Sequence, residues 1–131
     1  MEFFFHRFSS NYFDSGLGFE LKYESSNVSQ WSYNFGACGG SFITPQGILA
    51  SPSYPDNYPG NADCTYTISQ PNGNVILMNF LSMDIEDDTS CSYDYLEIRD
   101  GLSDTSTLLD KLCGSEIPAP IQSSQNQLWM K

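Results

Sequence analysis

The stretch from Met83 to Gly101 constrains the fold more than any other part of the chain. Six carboxylates, Asp84, Glu86, Asp87, Asp88, Asp94 and Glu97, fall within fourteen residues that contain no lysine or arginine. On the flanks, Met83 and Ile85, then Leu96 and Ile98, repeat at every second position, the period of a half-buried strand. The pattern predicts two strands joined by a structured acidic loop. Like charges gathered this closely repel, so the loop needs either open solvent or a cation among the carboxylates. A hard cation such as Ca²⁺ suits the second case, because it accepts carboxylate and carbonyl oxygens in flexible geometry.

The rest of the chain also reads as strands. Residues 3–8 form a short aromatic run, and Gly18-Phe19-Glu20-Leu21-Lys22-Tyr23 alternates cleanly after a polar turn. Together they predict an N-terminal hairpin. Between Glu24 and Gly36 the composition shifts to Ser and Asn, with Trp31, Tyr33 and Phe35 interspersed, which reads as a linker leaning its aromatics on a neighbouring surface. Pro52, Pro55 and Pro59 lie within eight residues and forbid a helix there. Strands are predicted at Cys64 to Ser69, Val75 to Phe80 after a Pro71-Asn72-Gly73 turn, Tyr93 to Arg99, and Gln127 to Met130. Only Leu108 to Leu112 has the look of a helical turn. The class is all-β, and strands at this spacing suggest a sandwich.

At 131 residues the chain has room for one domain with a real core. Sixteen acids against five bases give a formal charge of -11. That balance excludes nucleic acid as a partner and favours cations or basic protein surfaces. Cys38, Cys64, Cys91 and Cys113 form no CxxC pair, and the single histidine, His6, is far from them in sequence. Two disulfides in an oxidising, extracellular setting explain them better than zinc or redox chemistry. Three connectivities are open. Pairing in order, Cys38 with Cys64 and Cys91 with Cys113, closes loops of about 25 residues, each worth roughly 3 kcal/mol in the chain-entropy account. Spacing alone does not prove it. The N-terminus carries too short an apolar run for a secretory leader or a membrane span, so a piece of a larger extracellular chain is expected. The sequon Asn27-Val28-Ser29 marks Asn27 as a glycosylation candidate.

At this point the sequence resembles the CUB domain, a two-sheet extracellular module. The likeness runs through Cys38-Gly39-Gly40, Gly47-Ile48, Ser51-Pro52-Ser53-Tyr54-Pro55, Asn57-Tyr58-Pro59 and Cys64-Thr65-Tyr66-Thr67-Ile68. It continues through Met83-Asp84-Ile85-Glu86, Cys91-Ser92-Tyr93-Asp94-Tyr95-Leu96-Glu97-Ile98, Asp100-Gly101, Cys113-Gly114 and Ser123-Ser124 to Leu128. The resemblance implies a CUB-like two-sheet antiparallel β-sandwich of jelly-roll type, with the cysteines paired in order. Residues 1–25 look like the closing strands of a preceding repeat, 26–37 like a linker, and 38–131 like a CUB domain lacking its last strands. Leu128-Trp129-Met130-Lys131 corresponds to Phe4-Phe5-His6-Arg7. The N-terminal hairpin is therefore expected to fill the missing position, as a circular permutant would. Adjacent repeats of this kind are similar to the cubilin-type, multi-CUB endocytic receptors.

The resemblance also implies a site. Calcium-binding members hold the metal with a Glu, an Asp eight residues later and a third acid, beside a Tyr from the proline-rich segment. Glu86, Asp94 and Tyr58 match, while the N-terminal counterpart of the third acid is Asn11, a neutral ligand that makes calcium binding weak. A basic side chain of a protein ligand then meets Glu86 and Asp94 near Tyr58. From composition alone the two acids read as solvated, as Asp84, Asp87 and Asp88 do. An EF-hand is excluded because Thr89 follows Asp88 where that loop needs Gly. Paired acids also occur in glycosidases, but no deep-cleft signature accompanies them here. No catalytic triad assembles around a lone histidine. Tyr66, Phe80, Tyr93, Tyr95 and Trp129 read as core or half-core. The expected function is non-catalytic protein binding, with neighbouring CUB repeats as further partners and no insertion into membrane. A spacer repeat that binds nothing is the alternative.

Overall fold

The computed structural model describes residues 2–10, 16–26, 30–101 and 104–124, with residues 2–7 and 34–36 described by their backbone alone. Asn11, Asn27, Trp129 and the strand expected at Gln127 to Met130 lie outside the described residues. Among the described residues ten strands follow one another: β1 Glu2–Ser9, β2 Gly18–Glu24, β3 Trp31–Gly36, β4 Gly40–Phe42, β5 Gln46–Pro52, β6 Asp63–Gln70, β7 Leu77–Asp84, β8 Tyr95–Asp100, β9 Thr107–Leu112 and β10 Ile121–Gln122. They form two five-stranded sheets, ordered β4-β6-β1-β8-β9 and β10-β7-β2-β5-β3. The pairings are antiparallel except β3 with β5 and β4 with β6, which are parallel. The architecture is the CUB-like all-β sandwich that the sequence leads one to expect.

Alternation explains how the layers meet. In β2, Phe19, Leu21 and Tyr23 are fully buried, while Glu20, Lys22 and Glu24 stay partly in solvent. Phe8 from β1, Leu49 from β5, Tyr66 and Ile68 from β6, Met78 from β7, and Leu96 and Ile98 from β8 close on them with no exposed surface. Each such side chain contributes about 1.5–3 kcal/mol through removal from water. The rings of Phe8 and Phe19 lie 5.5 Å apart, and those of Phe19 and Tyr66 meet edge to face at 5.9 Å. Both disulfides form in order, Cys38 with Cys64 and Cys91 with Cys113.

The N-terminal strands complete the sandwich, but not as a hairpin. β1 lies between β6 and β8 in one sheet, and β2 between β5 and β7 in the other. Phe8 of β1 meets Phe19 of β2 across the core, so the two strands face each other from opposite sheets and do not pair edge to edge. Within the expected linker, Trp31–Gly36 forms the strand β3 along β5. Its Ser and Asn content suits an edge with one face in solvent, where Trp31 and Tyr33 remain 37% and 63% exposed. The helical turn expected at Leu108 to Leu112 is the strand β9, held by β8 from Leu96↔Leu112 to Asp100↔Thr107. Tertiary pairing overrides a weak local preference there.

Candidate functional site

The site lies where β7 runs out of its sheet. Met83 and Ile85 are buried, and Ile85 exchanges two backbone hydrogen bonds with Gly114, at 3.0 and 2.8 Å. Gly114 adopts φ +88°, a left-handed conformation that glycine takes without a Cβ penalty. The neighbouring Cys113 is bonded to Cys91, so the acidic loop is tied at its base from two sides. Within it, the Asp88 carboxylate accepts hydrogen bonds from the Ser92 amide and hydroxyl and from the Ser90 hydroxyl. Those bonds hold the Asp88 carboxyl down at about 2. Asp88 therefore organises a turn.

Pinned this way, the chain sets Glu86 and Asp94 on either side of Tyr58. The Tyr58 hydroxyl donates to Asp94 Oδ2 at 2.6 Å and accepts the Glu86 amide at 3.1 Å. Tyr58 and Asp94 are buried, with 1% and 0% exposure, whereas Glu86 is half-buried. Burial first, and then the Asp94 acceptor, push the Tyr58 hydroxyl far above its ordinary value of 10.0. It remains a proton donor throughout the physiological range. The proline-rich segment that carries Tyr58 turns as it leaves β5, with the Tyr54 amide donating to the Ser51 carbonyl at 3.1 Å and the Asp56 amide to the Ser53 carbonyl at 2.8 Å.

A third element completes the site. The Tyr58 amide donates to the Gly16 carbonyl at 3.1 Å, and its ring meets Phe8 edge to face at 4.8 Å. The Leu17 amide donates to Asp84 Oδ2 at 3.0 Å, and the Ser10 hydroxyl donates to the Pro59 carbonyl at 2.7 Å. A Cβ on Gly16 would fall 2.3 Å from the Asp84 carbonyl oxygen, so only glycine permits this approach. Sequence reasoning missed Ser10, Gly16 and Leu17; the closely spaced Gly16 and Gly18 were the available signal. It also placed Tyr93 in or near the core, whereas Tyr93 is 53% exposed beside the loop. Tyr66 and Phe80 are buried, and Tyr95 is half-buried.

The donor set falls short of a closed calcium site. Among the described residues no group of three or more His, Cys, Asp or Glu side chains is arranged to hold a metal ion. Glu86 and Asp94 supply two carboxylates, and one Asp94 oxygen is already engaged by Tyr58. Calcium usually takes six to eight oxygens.

A two-sheet sandwich with paired disulfides and an acidic end built on a buried tyrosine defines an extracellular binding module. The chain belongs to the CUB domain family, whose pattern it matches over residues 38–131. It is 40% identical over 120 residues to "Tolloid-like protein 2" of Mus musculus, which covers 90% of this chain and 12% of that protein. It is 42% identical over 125 residues to "Bone morphogenetic protein 1" of Xenopus laevis, covering 95% and 16% respectively. With "Neuropilin-2" of Rattus norvegicus it shares 36% identity over 124 residues, 90% of this chain and 13% of that one. The chain thus spans between about an eighth and a sixth of the length of these relatives. No solved structure matches. The CUB domain is a non-catalytic module of extracellular proteins, and the two disulfides fit that location. Among the described residues no helix is long and apolar enough to cross a membrane.

Proposed function

We propose that this chain binds extracellular protein ligands by presenting Glu86, flanked by Asp84 and Asp87, to a lysine or arginine on the partner. The observation that carries the reading is the Glu86–Tyr58–Asp94 arrangement. Asp94 is sealed from solvent, so its part is to fix Tyr58, and Tyr58 in turn fixes the backbone of Glu86. The partner's cation meets carboxylates already held in place, which spares the ordering cost of a flexible acid. Partial burial of Glu86 strengthens a charge-assisted hydrogen bond relative to one in open water. Exposed Tyr93 offers a ring face to an arginine or lysine stem.

Calcium is a weak auxiliary in this proposal, since the described carboxylates fall short of a full ligand set. Recognition runs through the acids themselves. Residues 1–25 are, on this reading, the closing strands of a preceding CUB repeat, and residues 38–131 a CUB domain lacking its last strands; the pairing of β1 with β6 and β8, and of β2 with β5 and β7, supports their working as one unit. The likeness to multi-CUB endocytic receptors suggests uptake as the biological setting. The same shortage of carboxylates favours a second reading, a spacer repeat without metal or ligand.

Binding of a lysine- and arginine-bearing peptide, measured by calorimetry with and without millimolar calcium, separates the two readings. Glu86→Gln is expected to weaken binding about tenfold. It leaves the fold intact, because the bond to Tyr58 comes from the Glu86 amide. Equal affinity of parent and variant, or no binding by either, sinks the recognition proposal and leaves the spacer.

A further inference from the structure

Every ladder made by the first two strands is with a strand beyond residue 30. β1 pairs with β6 and β8, β2 with β5 and β7, and β1 and β2 occupy different sheets. The family match begins at residue 38, so both strands lie outside it although each is central in its sheet. Both disulfides join residues between Cys38 and Cys113. No covalent bridge therefore ties residues 2–24 to the remainder. The chain joins them to the remainder between Glu24 at the end of β2 and Trp31 at the start of β3.

That crossing spans one strand. Glu24 and Trp31 both register with Gln46, from opposite sides of β5. Adjacent strands lie about 4.8 Å apart, so the step is about 9.6 Å, which six residues cover easily. Without residues 2–24, β6 and β8 in one sheet and β5 and β7 in the other would show bare edges around a core missing Phe8, Phe19, Leu21 and Tyr23. Such edges capture any strand of matching pattern. The closest match to the lost segment is the same segment of another copy.

We infer that residues 2–24 are an exchangeable strand pair, and that two copies of this chain form a dimer by donating them reciprocally. Each sandwich then has the same ladders as the monomer, and only the crossing differs. The exchange reaches the acidic end as well. Phe8, Ser10, Gly16 and Leu17 all contact Tyr58, Pro59 or Asp84. In the dimer each such end is built from both copies, and two of them are presented together, which raises avidity for a partner with repeated basic groups. The exchange itself does not depend on that end binding anything.

The decisive experiment uses the unmodified chain. Two pools carrying different fluorophores are unfolded in denaturant with their disulfides intact, mixed, and refolded at micromolar and at millimolar concentration. Mixed dimers are expected at the high concentration only. They should persist after dilution, because reversal requires two central strands to leave each sandwich. Monomers at both concentrations, or mixed dimers that dissociate on dilution as a surface contact would, overturn the inference. A second variant removes residues 26–30. Ser25 alone then provides two Cα steps, at most about 7.6 Å, too short to cross β5. Light scattering should give it twice the parent's mass with cooperative unfolding retained, and a folded monomer overturns the inference. If the variant does not fold, refolding of the parent chain alone decides the matter.

Discussion

The two ends of the sandwich use the same device with opposite electrostatics. At one end the buried Tyr58 hydroxyl donates to the Asp94 carboxylate and accepts the Glu86 amide. At the other, the buried Tyr23 hydroxyl meets the Thr44 carbonyl and hydroxyl at 3.1 Å and the Ser32 hydroxyl at 3.4 Å. Around Tyr23 the network is neutral. Gln70 and Gln46 are buried there, and their amides donate to Thr44 and Ser26 carbonyls. Burial raises the pKa of both tyrosines, but the hydrogen bonds to Ser32 and Thr44 soften the rise at Tyr23, whereas Asp94 adds to it at Tyr58. One end therefore concentrates fixed negative charge. At the other, the hydrogen-bond partners of the tyrosine carry no charge.

The largest expected effect is Tyr58→Ala, which empties a buried site shared with Phe8. It should cost about 3–5 kcal/mol in chemical denaturation. If the loss is below about 1 kcal/mol, the acidic end is not part of the core. Next comes the matched pair Tyr58→Phe and Tyr23→Phe, which remove only hydroxyls. The first takes the Tyr58 donor from the buried Asp94 carboxylate and should cost about 1.5–3 kcal/mol. The second deletes neutral bonds, at about 0.5–1.5 kcal/mol. Equal losses would break the electrostatic contrast.

The pH profile sharpens the comparison further. Unfolded tyrosines release their protons near pH 10, while folded Tyr58 and Tyr66 keep theirs, with Tyr66 pushed up to about 12. Above pH 10 the native state then binds more protons than the unfolded one, so stability falls as pH rises. Each tyrosine lowers it by about 1.4 kcal/mol per pH unit in that window. Denaturation curves from pH 9 to 11.5 check this, and Tyr58→Phe should flatten the slope. The smallest effect lies at low pH. Asp88, held at about 2 against an ordinary 3.8, stabilises the loop above its unfolded value and loses that contribution as pH falls through about 2. Asp88→Asn should make the acid limb slightly shallower, and an unchanged limb would mean the Ser90 and Ser92 bonds do not hold in solution.

Several of these features were legible because they depend on local pattern. The period of two around Phe19, Leu21, Leu96 and Ile98 specifies which faces are buried, since successive side chains in a strand point to opposite sides. The eight-residue spacing of Glu86 and Asp94 and the bracketed Tyr58 were visible through likeness to a family. The crossing strand β3 was not, because an edge strand with one wet face has the composition of a loop. Tyr93 was misplaced for a related reason. It sits one residue before Asp94 and therefore points away when Asp94 turns inward to Tyr58.

The sequence alone determined that the chain is a β-sandwich with an acidic loop, because alternation and prolines act over a few residues at a time, and its four cysteines pointed to two extracellular disulfides whose pairing the family likeness implied. Only the tertiary structure decided that β1 and β2 part company into opposite sheets, that Gly16 reaches Tyr58 and Ser10 reaches Pro59, and that Asp94 is sealed while Glu86 is half-buried. Those outcomes depend on backbone hydrogen bonds and core contacts between segments far apart in the chain, which no local pattern encodes.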